Sequence, residues 1–211
     1  MKVAFTSIAF GDHRYLQQLE KCAASIAEHH PEARLFSWVN EFPSRPHAES
    51  LYGFKPHCVK TAADAGFRFV VWLDPACYLT RRIDDVIELS SQHGVVAIRD
   101  ENKLRNGNGQ SDFIAPDCVA KYGVPQSELA RIHLVGGSLY VFDFEHPKCN
   151  EVFNDWLNME VSGMFHCPSH AGHRNDESCM AVAMWRAGIG PIDPSTGCYR
   201  VGSGVEKAHF K

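Results

Sequence analysis

The chain alternates between short apolar runs and segments in which apolar residues recur every three or four positions. Residues 2–10 are strand-like, and Gly11-Asp12 supplies a turn and a helix cap. Leu16, Leu19, Ala23 and Ile26 then share one face of a helix that must end by Pro31. Residues 34–40 predict a second strand, so the chain begins with a βαβ unit whose crossover is right-handed. A loop through Pro43 and Pro46 leads to a helix opened by Lys55-Pro56-His57, with the proline at a tolerated first-turn position. Residues 67–73 are the clearest signal, apolar throughout except for Arg68, as expected of a strand buried on both faces. That strand ends at Asp74, because Pro75 cannot donate to a ladder.

The remainder continues the alternation. Ile83, Val86, Ile87 and Leu89 mark a helix closed by Gly94, and residues 95–100 a short strand. The polar segment 101–111, with Asn106-Gly107-Asn108-Gly109, is a loop of the kind that covers ligands. Residues 113–132 read as irregular helices around Pro116 and Pro125, and 133–143 as a strand containing Gly136-Gly137. Pro147 opens a helix carrying Val152, Phe153, Trp156 and Leu157. A His-rich loop, 166–173, follows, and Asn175 to Ser178 start the last helix, 176–187, closed by Gly188. The pattern predicts an α/β domain spanning 1–211, with a mixed, mainly parallel sheet flanked by helices. The diglycine strand is its candidate antiparallel member.

Composition narrows the class. Hydrophobic residues at 45% and charged residues at 22% suit a soluble chain with a full core. A net charge of -4 gives no general attraction to nucleic acid or anionic membrane, and no apolar run is long enough to span a bilayer. The 8 cysteines form no CxxC pair and read as reduced thiols of a cytoplasmic protein, although an even count also permits disulfides.

Ligands of open α/β sheets gather beyond the carboxyl ends of the strands. Asp74 therefore marks a ligand or metal site, or else caps the helix that follows. Asp176 stands at a helix start, where the dipole favours its ionised form. Gly136-Gly137 signals a bulge or a close backbone approach. The segment His166-Cys167-Pro168-Ser169-His170-Ala171-Gly172-His173 is dense enough in ligands for zinc, but no second Cys/His cluster lies at a structural-site spacing. The first strand–helix turn, 10–14, lacks the glycines of a dinucleotide loop, and no Gly-x-Ser-x-Gly elbow is present.

In their order along the chain, Lys55-Pro56, the segment FVVWLDPACYL, the segment GGSLYVF and the segment HRNDES resemble the nucleotide-sugar glycosyltransferases of the GT-A fold. The resemblance covers nearly the whole chain. It implies transfer of a sugar from a nucleotide-diphosphate donor, a UDP-sugar, to a carbohydrate or glycoconjugate hydroxyl, assisted by Mn²⁺ or Mg²⁺. It implies that Ser7 lines the nucleotide pocket, that Asp74 and His209 hold the metal, and that Lys55, Arg174 and Lys207 offset diphosphate charge. Gly136 and Gly137 would face the donor, and Asp176 would contact the donor sugar. With inversion of configuration, Asp176 or Glu177 would be the base; the His209 arrangement resembles retaining enzymes. The chain departs from the family's Asp-x-Asp, because position 76 is Ala76. That departure keeps a non-catalytic nucleotide- or sugar-binding module as the alternative, with a zinc-dependent enzyme using the 166–173 loop behind it. Such catalytic domains also occur inside larger polypeptides.

Overall fold

The computed structural model describes residues 2–100, 113–167 and 172–192, and the backbone of 199–201. Its elements are β1 (Val3–Ala9), α1 (His13–His29), β2 (Arg34–Val39), α2 (Phe54–Asp64), β3 (Phe69–Leu73), β4 (Cys77–Leu79), α3 (Asp84–His93), β5 (Val95–Arg99), α4 (Pro116–Lys121), β6 (Val135–Asp143), α5 (Pro147–Val161), α6 (Asp176–Arg186) and β7 (Tyr199–Val201), with a 3₁₀ turn at Leu129–Arg131.

Five strands form one sheet in the order β2-β1-β3-β6-β5. β1 pairs in parallel with β2 and β3, whereas β6 runs antiparallel to both β3 and β5. Every strand but β6 therefore points the same way, and the diglycine strand is the antiparallel one. Its pairing with β5 slips between Ala97 and Arg99, opposite the stretch that holds Gly136 and Gly137.

Helices cover both faces, and alternation along each strand divides the core accordingly. Ala4 and Ile8 of β1, Val70 and Trp72 of β3, and Tyr140 and Phe142 of β6 pack with α2, α5 and α6. Val3, Phe5, Val71, Leu73, Leu139 and Val141 face Cys22 and Ile26 of α1 and Val86 and Ile87 of α3. All of β3 is buried, and each large side chain there contributes roughly 1.5–3 kcal/mol by leaving water. Local signals agree with this layering. The Asp12 side chain caps α1 by accepting the Arg14 N–H at 2.8 Å. Gly94 ends α3 at φ 87, where a Cβ would lie 2.7 Å from the Cys149 nitrogen, so only glycine fits.

Three details differ from the sequence pattern. β3 begins at Phe69, not at residue 67, because the half-buried Arg68 reaches both oxygens of Asp143 at 2.9 and 2.8 Å and cannot join a strand buried on two faces. β4 was not signalled; it pairs antiparallel with β7 from the tail. It also separates Asp74 from α3, so Asp74 caps no helix. The described cysteines are free thiols, and Cys198 lies outside the described residues. Among the described residues no helix is long and apolar enough to cross a membrane.

Candidate functional site

β1, β2, β3 and β5 end at one edge of the sheet, where antiparallel β6 begins. From β1 the chain crosses to β2 over the face covered by α1, then returns past β1 to β3 over the face covered by α2. A reversal of this kind opens a crevice at the carboxyl edge. The start of α2, the end of β3, the start of β6 and the start of α6 converge there.

Lys55 is the hub. Its side chain is only 3% exposed, and Nζ donates to Asp176 Oδ2 at 2.7 Å and to the Gly137 carbonyl at 3.0 Å. The same carbonyl accepts the Trp72 indole N–H at 3.0 Å. The Gly137 N–H donates to Glu177 Oε1 at 2.9 Å, and the Tyr140 hydroxyl to Asp176 Oδ2 at 3.4 Å. Trp156 donates to the Asp176 carbonyl at 3.1 Å, tying the first turn of α6 to α5. The backbone enters α6 through Asn175 at φ 50, a left-handed conformation for a non-glycine residue. Gly137 is required by its neighbours. A Cβ there would stand 2.7 Å from Lys55 Nζ, 3.1 Å from Glu177 Cγ and 3.2 Å from Asp176 Oδ2.

Asp74 closes the group from β3. Its N–H donates to the Ser138 carbonyl at 2.9 Å, and its Oδ1 accepts the Ala76 N–H at 3.0 Å. Position 76 thus contributes a backbone amide to the carboxylate where Asp-x-Asp would place a second acid. Asp74, Asp176 and Glu177 all act on the Lys55 charge. Burial alone would lower the Lys55 pKa, but these carboxylates outweigh it and the net shift is upward. Burial pushes Asp176 up to about 6 and also raises Asp74, each partly countered by Lys55. The helix-dipole expectation for Asp176 is therefore reversed: at 2% exposure, loss of water outweighs the dipole.

The remaining predicted positions fall around this group. Lys55 is a buried, paired cation, not a surface one. The Gly137 amide is committed to Glu177, and no heavy atom lies closer than 4.0 Å to where a Cβ on Gly136 would sit. Ser7 is fully buried on the α1 side of β1, beside Cys22 and away from Lys55. Arg174 is exposed, with its guanidinium 5.5 Å over the Phe113 ring. Lys207, His209 and the 101–112 loop lie outside the described residues. Trp72, Tyr140 and Trp156 were not singled out by sequence. Trp72 had a readable signal, because positions 70, 72 and 74 of an alternating strand share one face.

Two possible metal sites resolve differently. His173 Nδ1 accepts the Ala115 N–H at 3.1 Å, so Nε2 carries the ring proton and donates to the Met164 carbonyl at 2.8 Å. This commits both ring nitrogens and takes His173 out of the zinc reading; residues 168–171 lie outside the described ones. Among the described residues, His30, Glu32 and Asp84 lie close enough to share an ion. However, Arg82 already binds both carboxylates at 2.6 Å. His30 Nε2 accepts the Ile83 N–H at 3.0 Å, which leaves the proton, and no lone pair, on Nδ1.

No family model matches the chain, and no curated protein sequence matches it. Among solved structures, the chain is similar to a glycosyltransferase involved in glycosylation of the major capsid of PBCV-1, at 11% identity and a TM-score of 0.47, over 82% of this chain and 79% of that one. It is also similar to the WbbM bifunctional glycosyltransferase, at 10% identity and a TM-score of 0.52. That alignment covers 90% of this chain and 38% of the WbbM chain. At these identities the likeness concerns architecture, and the chain has a glycosyltransferase-like fold.

Proposed function

We propose that the chain is a GT-A-type glycosyltransferase that moves a sugar from a uridine diphosphate donor to a hydroxyl of a carbohydrate or glycoconjugate. The observation that supports this best is the set of three carboxylates, Asp74, Asp176 and Glu177, gathered around one buried ammonium at the edge where the sheet reverses. Acid outnumbers cation there, which suits a hard divalent ion such as Mn²⁺ or Mg²⁺. Asp74, the more exposed aspartate, would hold it together with phosphate oxygens. When bound, such an ion supplies positive charge to the departing diphosphate.

The chain's own residues do the rest. Lys55 fixes Asp176, and Asp176 orients the donor sugar. Because Asp176 Oδ2 already accepts from Lys55 and Tyr140, the geometry favours orientation over proton abstraction, in line with retention of configuration. Glu177 locks Gly137 and keeps the start of β6 against α6. Arg174 at the start of α6, with Lys207, would add positive charge near the diphosphate, and His209 would be a second metal ligand.

The test is a calorimetric and thermal-shift screen of nucleotide sugars with and without Mn²⁺, followed by donor turnover. A UDP-sugar should stabilise the protein, more so with Mn²⁺, and Asp74→Ala should lower turnover by about 10²-fold or more. Turnover at the full rate in Asp74→Ala would end this reading. The second reading, a non-catalytic binding module, draws on Ala76; binding without turnover of any donor would favour it.

A further inference from the structure

Tyr52 is a bulky residue at φ 59, a left-handed backbone that such side chains rarely adopt. Outliers of this kind persist where the surroundings over-determine them, and they cluster at binding sites. The surroundings of Tyr52 do so. Two residues before it, the Ser50 hydroxyl donates to buried Glu160 at 2.8 Å. Glu160 also holds Arg45 at 2.7 Å and His57 at 3.0 Å. One residue after it, Gly53 is packed so tightly that a Cβ would meet Glu160 Oε1 at 2.7 Å. The Tyr52 carbonyl accepts the Lys55 N–H at 3.1 Å, locking the residue onto the first turn of α2. Its ring is pinned edge-on by His47, with centroids 5.2 Å apart, and lies 5.0 Å from Lys55 Nζ. Even so, Tyr52 remains 39% exposed.

A rigid aromatic ring is thus presented, partly bare, over the charged hub. Lys55 Nζ lies 5.0 Å from the ring centroid and 2.7 Å from Asp176 Oδ2, so the ring and the carboxylate flank the same ammonium. The charges of Asp176, Asp74 and Glu177 all reach the phenol. We propose that Tyr52 stacks on the apolar C–H face of the donor's sugar beside the Lys55–Asp176 pair, making it a specificity-determining residue for the sugar rather than for the nucleotide. This rests on the donor reading given above.

The test titrates wild type, Tyr52→Phe and Tyr52→Ala calorimetrically with UDP and with a panel of UDP-hexoses. Tyr52→Phe keeps the ring and should match wild type. Tyr52→Ala should weaken the preferred UDP-hexose about tenfold while leaving UDP itself nearly unchanged. If the alanine variant does not fold, Tyr52→Gly replaces it, since glycine accepts the left-handed backbone without strain. Equal losses for UDP and UDP-hexose, or no loss for either, overturn the stacking role and leave the donor reading standing. A wild type that binds no nucleotide sugar overturns both.

Discussion

Lys55→Met is the perturbation that most directly tests how the site is held. Methionine nearly matches the length of the lysine stem but removes the charge, leaving Asp176 buried without its 2.7 Å partner. Breaking a buried pair from one side costs about 3–5 kcal/mol. For a chain of this size each kcal/mol lowers the melting temperature by roughly 2–4 °C, so Lys55→Met should melt about 6–20 °C below wild type. Tryptophan fluorescence is a suitable readout, because Trp72 and Trp156 both donate into this cluster. The pH dependence follows from Asp176. Its folded-state pKa, about 6, lies above the ordinary 3.8, so the native state holds the proton more tightly. Its contribution therefore weakens as pH rises from 3.8 through about 6. Without Lys55 the carboxyl rises further, so the variant's deficit should be larger at pH 8 than at pH 5, where Asp176 is protonated. Adding Asp176→Leu should recover part of the loss, with the double variant falling short of additivity by about 1–3 kcal/mol. A Lys55→Met melt within about 2 °C of wild type, or a deficit equal at both pH values, would refute the pairing.

Two further changes test separate features. Gly137→Ala forces a Cβ to within 2.7 Å of Lys55 Nζ and should cost about 1–3 kcal/mol, whereas Gly136→Ala, with its nearest neighbour at 4.0 Å, should melt like wild type. His30 has its pKa lowered chiefly by burial, so above its ordinary 6.5 its contribution is intact, and as pH falls below 6.5 the unfolded chain takes up the proton first and stability is lost. His30→Gln should lack that loss, so urea midpoints of the two proteins should converge, or cross, between pH 7.5 and 5.5.

Much of the fold was legible because its signals are local. The buried run at 67–73, Asp12 as a cap, Gly94 and Gly188 as stops, and Pro147 as a start each act within a few residues. The elements that escaped are those whose stability comes from afar. Cys77 to Leu79 is too short to show a period, and it becomes a strand only because 199–201 pairs with it. Arg68 sits in an apolar run, yet the strand starts after it because Asp143, distant in sequence, draws it away.

The candidate site shows the same division. Asp74 and Asp176 stood out from their place at a strand end and a helix start, and Gly137 from its place inside a strand. That Lys55 would meet Asp176 across 121 positions could not be read from either segment. Nor could the ionisation of Asp176, where a local rule favouring the charged form gave way to burial. By itself the sequence determined the kinds of element, their order and the acids available, because backbone preferences and hydrophobic period act over one or two turns. Only the tertiary structure decided which charges share a low-dielectric edge, because desolvation and ion pairing depend on what every other segment brings to the same place.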